Sequence, residues 1–212
     1  MSENSSDTQF ITATDRDWAT KLKSLQPTPG YCIFVDIVGS TALKDSSISE
    51  WCKFIHHTFN STQFHIPVPI QPLKSIGDCL MYYIPEPQMC GETPLSLLAG
   101  LYGLTRHTDA ILRDVRVSIG YCQDVYAVSF LLGMHDFYGK DIDLTSRLLA
   151  IAQSKEILMN EPFYQQVRME FSHHQNFEQY PCMLEIQGPW TQTMKGFRQP
   201  LRVFKVHPPE LP

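Results

Sequence analysis

An apolar run at residues 31–41, with the sequence YCIFVDIVGST, constrains the fold of this 212-residue chain most strongly. It carries one carboxylate, Asp36, and ends in a turn of small residues, which is typical of a buried strand. A second unit at residues 73–84 places Asp78 in a Gly-Asp turn between two apolar runs, which predicts a tight hairpin. Carboxylates at two strand ends are suited to holding a pair of divalent ions over a nucleoside triphosphate. The pattern therefore indicates phosphoryl chemistry.

Aspartate also favours turns and helix caps for purely structural reasons, and that is the alternative interpretation of Asp36 or Asp78 taken alone. Two such residues in matching contexts favour the interpretation as a metal site.

The charge and cysteine content exclude some functional classes. The net charge is −5, whereas a protein that binds nucleic-acid phosphates or anionic membranes needs a basic face. We therefore expect no nucleic acid and no membrane as partner. The six cysteines form no Cys-x-x-Cys pair, the N-terminus has no signal-peptide pattern, and no apolar run approaches the roughly 18 residues of a membrane span. These features predict a cytoplasmic protein with one core.

The pattern of elements predicts an α+β fold. Residues 1–29 are polar and end in Pro-Thr-Pro-Gly, so we expect an N-terminal arm there and one domain over residues 30–212. Periodicity and capping signals predict helices at residues 48–59, 94–112, 141–152 and 162–169, and strands at residues 31–37, 73–76, 79–84, 115–121, 155–159, 183–187 and 201–206. The segment that follows the strand at residues 115–121, through Gly133, is expected to be a loop. This order is that of a ferredoxin-like split βαβ core (βαββαβ) with extra C-terminal strands and with its helices on one face.

Several motifs resemble the class III nucleotide cyclase catalytic domain and occur in the same order. They are FVDIVGST (residues 34–41), KSIGD (74–78), VRVSIG (115–120), DFYGKDIDLTSR (136–147), EILM (156–159) and MKG (194–196). Each motif alone is weak, whereas the set in the right order is specific. The resemblance implies the cyclase fold and a reaction in which a nucleoside triphosphate becomes a 3′,5′-cyclic nucleotide and pyrophosphate.

The first two motifs carry the metal site that the resemblance implies. Asp36 and Asp78 would hold two divalent ions, Mn²⁺ or Mg²⁺, and the carbonyl of Ile37 would add a ligand. In the same motif the resemblance assigns four residues to nucleotide binding, with main-chain amides of the 38–41 turn cradling phosphate oxygens: Phe34, Gly39, Ser40 and Thr41.

The later motifs carry the residues that the resemblance assigns to the transition state. Arg147 would stabilise charge on the α-phosphate, and Lys195 would contact the outer phosphates. Asp143 occupies the catalytic position where the family usually has asparagine, so a contact made through an amide NH₂ is lost. The structural alternative for Arg147 is an i,i+4 ion pair with Asp143.

The base that the enzyme would use is left open by the sequence. Lys74 and Asp136 match the pair that reads adenine in adenylate cyclases, which favours ATP. The compact chain and its IDLT sequence at residues 142–145 instead resemble the pyrimidine cyclases of bacterial anti-phage (Pycsar) systems. We favour that subgroup, with UTP ahead of CTP, and cyclic UMP as a second messenger in antiviral defence. An adenylate cyclase or an inactive nucleotide-binding regulator remains the alternative.

The resemblance also implies a homodimer. In such dimers each site takes its metal carboxylates from one subunit and its base, Arg and Lys residues from the other. Two equivalent composite sites per dimer are expected.

Overall fold

A computed structural model describes residues 10–12, 16–106, 114–131, 134–173 and 184–206. In chain order its elements are β1 (Ile11–Thr12), α1 (Trp18–Lys23), β2 (Gly30–Ile37), α2 (Ser40–Ser46), α3 (Ile48–His65), β3 (Lys74–Ile76), β4 (Cys79–Pro85), α4 (Pro94–Thr105), β5 (Val115–Cys122), β6 (Val125–Ser129), β7 (Phe137–Gly139), α5 (Lys140–Ile151), β8 (Ile157–Asn160), α6 (Glu161–His173), β9 (Ile186–Gln192) and β10 (Leu201–Val206). A short 3₁₀ turn, Glu86–Met89, follows β4.

The large sheet confirms the predicted βαββαβ core. Its strand order is β3-β4-β2-β5-β8-β10-β9, and the first four strands in that order, connected through α3 and α4, are the split βαβ unit. β2 pairs antiparallel with both β4 and β5, and β5 pairs parallel with β8. All eight residues of β2 are buried, as expected for a strand that is covered on both faces.

The prediction that the helices share one face is wrong for α5. Helices α3, α4 and α6 pack on the face that carries the odd-numbered side chains of β2, such as Ile33. Helix α5 packs on the opposite face, where its Ile142 and Leu149 join the even-numbered Cys32 and Phe34. The reason is that β2 is apolar on both faces, so both need a cover.

Local signals place several element ends correctly. The side chain of Ser47 accepts a hydrogen bond from the Glu50 amide at the start of α3, and a capping box between Thr93 and Ser96 starts α4. The predicted hairpin at residues 77–78 joins β3 to β4, with Gly77 at φ +65°.

Other predicted bounds differ from the structure. Helix α3 extends to residue 65 and α6 to residue 173, whereas α4 ends at residue 105 and residues 107–112 of its predicted range lie outside the described residues. β8 begins two residues late, because Lys155 has a φ of +64° that a strand does not accommodate. β9 begins at residue 186, and residue 183 of its predicted range also lies outside the described residues.

A second, three-stranded sheet occupies much of the segment predicted to be a loop. β6 pairs antiparallel with β7, and β1 from the N-terminal arm pairs parallel with β6. The ring of Phe10 packs edge-on against Phe137, with the ring centroids 5.2 Å apart. The described part of the arm therefore contacts the domain, and the boundary at residue 30 stays a prediction.

Among the described residues, no helix is both long enough and apolar enough to cross a membrane.

Phe163 and Phe64 offer a matched test of the core, because the first is fully buried and the second is 88% exposed. We expect Phe163→Ala to lower the free energy of unfolding by about 3–5 kcal/mol, because it removes buried contacts and leaves a cavity. Phe64→Ala should stay within about 0.5 kcal/mol of the parent protein. Urea unfolding followed by circular dichroism measures both values; equal effects would contradict the packing described above.

Candidate active site

Asp36 and Asp78 lie at one end of the central strand. Asp36 is near the end of β2 and pairs in register with Cys79 of β4, and Asp78 is the neighbour of Cys79 in the β3–β4 turn. Both carboxylates line one cavity of about 370 Å³. The other lining residues are Ile37, Val38, Gly39, Ser40, Thr41, Arg116, Ala152, Gln153 and Ser154. The structure therefore brings together the predicted metal residues and all four residues of the predicted phosphate turn.

Burial and the negative charge of Asp78 destabilise the ionised form of Asp36. Its side chain is only 11% exposed. Burial is the largest influence and raises the pKa of Asp36 above its ordinary 3.8; Asp78 raises it further, and Arg116 opposes both. A second cation at this carboxylate would favour its ionised form, and a divalent ion would be such a cation.

Asp78 is held by the start of the next helix. The hydroxyl of Ser40, a buried residue, donates a hydrogen bond to Oδ2 of Asp78. Gly39 precedes Ser40 at a φ of +72°, a conformation that favours glycine and that turns the chain from β2 into α2. The turn thus positions the second carboxylate.

The amides of the same turn are not equally available. The amide of Val38 donates to the carbonyl of Asp114 at 2.9 Å and is already engaged. Gly39, Ser40 and Thr41 all line the cavity, and their role in phosphate binding stays a prediction.

Phe34 lies in the core. Its side chain is 4% exposed and packs on the α5 face with Met81 and Phe137. Its assignment to nucleotide binding stays a prediction.

The predicted base-reading residues contact each other. Nζ of Lys74 lies 2.5 Å from Oδ2 of Asp136, and Oδ1 of Asp136 accepts a hydrogen bond from the Phe137 amide at 2.8 Å. Each oxygen of Asp136 therefore has at least one partner. The side chain of Lys74 is 33% exposed and that of Asp136 is 16% exposed, so the Lys74 ammonium group is reachable from solvent.

Arg147 and Lys195 lie near each other at the outer side of α5. The guanidinium carbon of Arg147 is 5.9 Å from the ring centroid of Phe197, and Lys195 lies two residues before Phe197 in the turn between β9 and β10. Met194 is buried against Leu148 of α5, which fixes this turn on the helix. Neither Arg147 nor Lys195 lines the Asp36 cavity.

Asp143 is exposed on the first turn of α5. Among the described residues, none of the ion pairs joins it to Arg147, so the structural alternative for Arg147 receives no support.

Arg116 is a site residue that the sequence pattern does not predict. It lies directly opposite Asp36 in the β2–β5 register, and its Nε and Nη2 are each 2.7 Å from Oδ2 of Asp36. The alternation of β5 indicates that Arg116 and Val117 point to opposite faces, but only the strand register shows which carboxylate it meets.

The donor chemistry of the cavity fits a hard divalent cation. Two carboxylates and the Ile37 carbonyl are oxygen ligands, which Mg²⁺ and Mn²⁺ prefer. The described residues contain no cluster of three or more His, Cys, Asp or Glu side chains that would hold an ion alone.

No protein-family model and no curated protein matches this sequence, whereas solved structures match its fold. The adenylyl cyclase CyaB from P. aeruginosa has a TM-score of 0.69 at 16% identity, over 87% of this chain and 96% of its own. A rhodopsin-guanylyl cyclase catalytic core with converted specificity, in complex with ATPαS, has a TM-score of 0.66 at 14% identity, over 86% and 97% of the two chains. The guanylate cyclase domain of RhGC from Catenaria anguillulae, in complex with GTP, has a TM-score of 0.66 at 13% identity, over 86% and 98%.

At these identities the comparisons show the fold and not the substrate. The matches cover most of this chain and nearly all of each neighbour. The chain has the α+β fold of the adenylyl and guanylyl cyclase catalytic domains, as the sequence motifs predict.

Proposed function

We propose that this protein is a nucleotide cyclase that converts a nucleoside triphosphate into a 3′,5′-cyclic nucleotide and pyrophosphate. The observation that carries the proposal is the pair of carboxylates, Asp36 and Asp78, that face one cavity beside a glycine turn in a cyclase fold. That arrangement suits a ligand that brings phosphate oxygens and divalent ions together.

Asp36, Asp78 and the carbonyl of Ile37 would hold two divalent ions, Mg²⁺ or Mn²⁺, per site. Bound there, the ions would lower the pKa of the ribose 3′-hydroxyl and neutralise the triphosphate. The role of the chain is to hold the two carboxylates in place, which Ser40 does for Asp78 and the β2 register does for Asp36.

In the proposed reaction the ribose 3′-oxygen forms a bond to the α-phosphorus, the bond from that phosphorus to the bridging oxygen breaks, and pyrophosphate leaves. The hydroxyl proton passes to water. Arg147 would stabilise the charge that develops on the α-phosphate, because its guanidinium offers fixed donors. Lys195 would hold the outer phosphates. Asp143, exposed on the same helix, would orient the ribose as an acceptor only.

We propose that the active protein is a homodimer with two composite sites. Arg147 and Lys195 lie outside the Asp36 cavity. One chain therefore carries both halves of a site, but at two different places on its surface. Exposed apolar side chains lie beside the Asp78 turn and in the β6–β7 region that carries Asp136, and a second copy would cover them: Ile76 at the first place, and Phe130, Leu131, Met134 and Tyr138 at the second.

UTP is the proposed substrate, with CTP and ATP as the alternatives. The Lys74 ammonium retains donors beyond the one that meets Asp136. A base edge that presents carbonyl oxygens, such as that of uracil, would accept them. The product would be cyclic UMP, acting as a second messenger in antiviral defence in the cytoplasm. The described cysteines are free thiols, in keeping with that compartment.

Two other functions are the alternatives. Lys74 and Asp136 are the residues that resemble the adenine-reading pair, and this favours an adenylate cyclase as the second candidate. An inactive nucleotide-binding regulator would have no need for Asp36, Asp78 and Arg147 together, and all three are present.

Asp78→Asn tests the proposed ion site. We expect it to weaken Mn²⁺ binding by at least about tenfold, because the neutral amide removes one of two charged ligands. Titration of the protein with MnCl₂, with free Mn²⁺ measured by electron paramagnetic resonance, gives the dissociation constant. Asp45→Asn, which removes an exposed carboxylate on α2, is the control. An equal loss in both variants would show general charge attraction instead of a site.

Incubation of the purified protein with each of the four triphosphates and Mn²⁺ tests the proposed reaction. We expect cyclic UMP to be the dominant product, identified by mass spectrometry, with pyrophosphate released in equal amount. Dominant cyclic AMP would contradict the pyrimidine assignment and leave the cyclase assignment standing. Nucleotide binding without pyrophosphate release would favour the regulator.

Mixing Asp36→Ala chains with Arg147→Ala chains tests the composite site. Random pairing makes half of the dimers mixed, and each mixed dimer has one intact site of two, so activity should recover to about a quarter of the wild-type value. A mixture of Asp36→Ala with Asp78→Ala chains is the control and should stay inactive, because every site lacks a carboxylate. No recovery in the first mixture would count against the shared site.

A further inference from the structure

Among the described residues, Arg116 is the cation that pairs with Asp36 of the proposed ion site. Its Nε and Nη2 each lie 2.7 Å from the same oxygen, Oδ2 of Asp36, so two donors of one guanidinium converge on a single atom. Nη1 also reaches the carbonyl of Ala152 at 3.4 Å, near the end of α5. The guanidinium is therefore fixed between β2 and the residues after α5, and it lines the cavity.

This pairing conflicts with metal binding at the same atom. A divalent ion of the Mg²⁺ type needs carboxylate oxygens at about 2.0–2.1 Å in a defined geometry. The guanidinium remains charged at every physiological pH, so it cannot give up its charge to make room. The side-chain exposures are 11% for Asp36 and 34% for Arg116, so the two cations would meet at a carboxylate that is largely shielded from water, where their repulsion is stronger than in bulk solvent.

We propose that Arg116 is an internal counter-ion that occupies Asp36 in the metal-free protein and competes with the divalent ion for it. This inference rests on the divalent-ion site of the proposed function. Arg116 is a positioning residue in this scheme: it holds the Asp36 carboxylate in one orientation, and it lowers the affinity for an ion that arrives alone.

The same competition couples ion binding to nucleotide binding. When an ion takes Oδ2 of Asp36, the guanidinium loses its partner inside the cavity. A triphosphate in that cavity supplies anionic oxygens that Arg116 can pair with, and such pairing is frequently bidentate. An ion that enters with a triphosphate therefore meets less resistance than a free ion, which is a coupling free energy between the two ligands.

Arg116→Gln tests the competition with the metal alone. We expect its dissociation constant for Mn²⁺, measured by electron paramagnetic resonance at pH 8 without nucleotide, to fall by about tenfold relative to the wild type. Arg116→Lys keeps the charge but not the two converging donors, so its dissociation constant for Mn²⁺ should lie between those of Arg116→Gln and the wild type. Arg202→Gln is the matched control, since it removes an arginine from another ion pair, with Glu161, and should not change Mn²⁺ affinity.

An Mn²⁺ affinity for Arg116→Gln equal to or weaker than that of the wild type would overturn the proposal, as would a failure of either protein to bind Mn²⁺. A role in stability alone would shift the unfolding midpoint and leave the affinity unchanged.

A second measurement uses the wild-type protein and holds even where Arg116→Gln fails to fold. The Nε–Hε resonance of Arg116, assigned by its loss in Arg116→Lys, should shift as Mg²⁺ is titrated in, because the hydrogen bond to Asp36 opens. An unchanged resonance at saturating Mg²⁺ would overturn the proposal. Neither measurement reads cyclase activity, so an inactive protein with the expected ion affinities would refute the proposed function and leave this inference in place.

Discussion

The pairing of β2 between β4 and β5 is the constraint on which the site depends. It places Asp36 opposite Cys79 on one side and opposite Arg116 on the other. The first contact brings the Asp78 turn to the cavity, and the second supplies a fixed positive charge. Because a one-residue slip would turn every side chain of β2 to the other face, the buried faces of this strand also hold the carboxylate in position.

The two halves of the proposed site are set apart by α5, which covers the even-numbered face of β2, the face that also carries Asp36. Helices α3, α4 and α6 bury one face, and α5 buries the other with Ile142 and Leu149. Helix α5 then carries Arg147 at its outer side, where the turn that contains Lys195 packs through Met194. The carboxylate half and the basic half consequently lie at different places on one chain, which is the geometric basis of the proposed dimer.

Much of this arrangement follows from local sequence signals, and the rest depends on register and packing. The apolar run through Asp36, the Gly-Asp hairpin and the Ser47 cap are each specified by a few adjacent residues, and the structure confirms them. The face chosen by α5, the β6–β7 hairpin and the Arg116–Asp36 pair depend on contacts between distant segments. Amphipathic periodicity gives an apolar stripe but not the sheet face that receives it.

The central claim is that one chain's Asp36 and Asp78 act with the Arg147 and Lys195 of a second chain on a single nucleotide. A crystal structure with Mn²⁺ and 3′-deoxy-UTP, which lacks the attacking hydroxyl, tests this most directly. We predict a dimer in which the triphosphate bridges the two chains and Arg116 has left Oδ2 of Asp36. A nucleotide bound by one chain alone, or bound with the Arg116–Asp36 pair intact, would contradict the account.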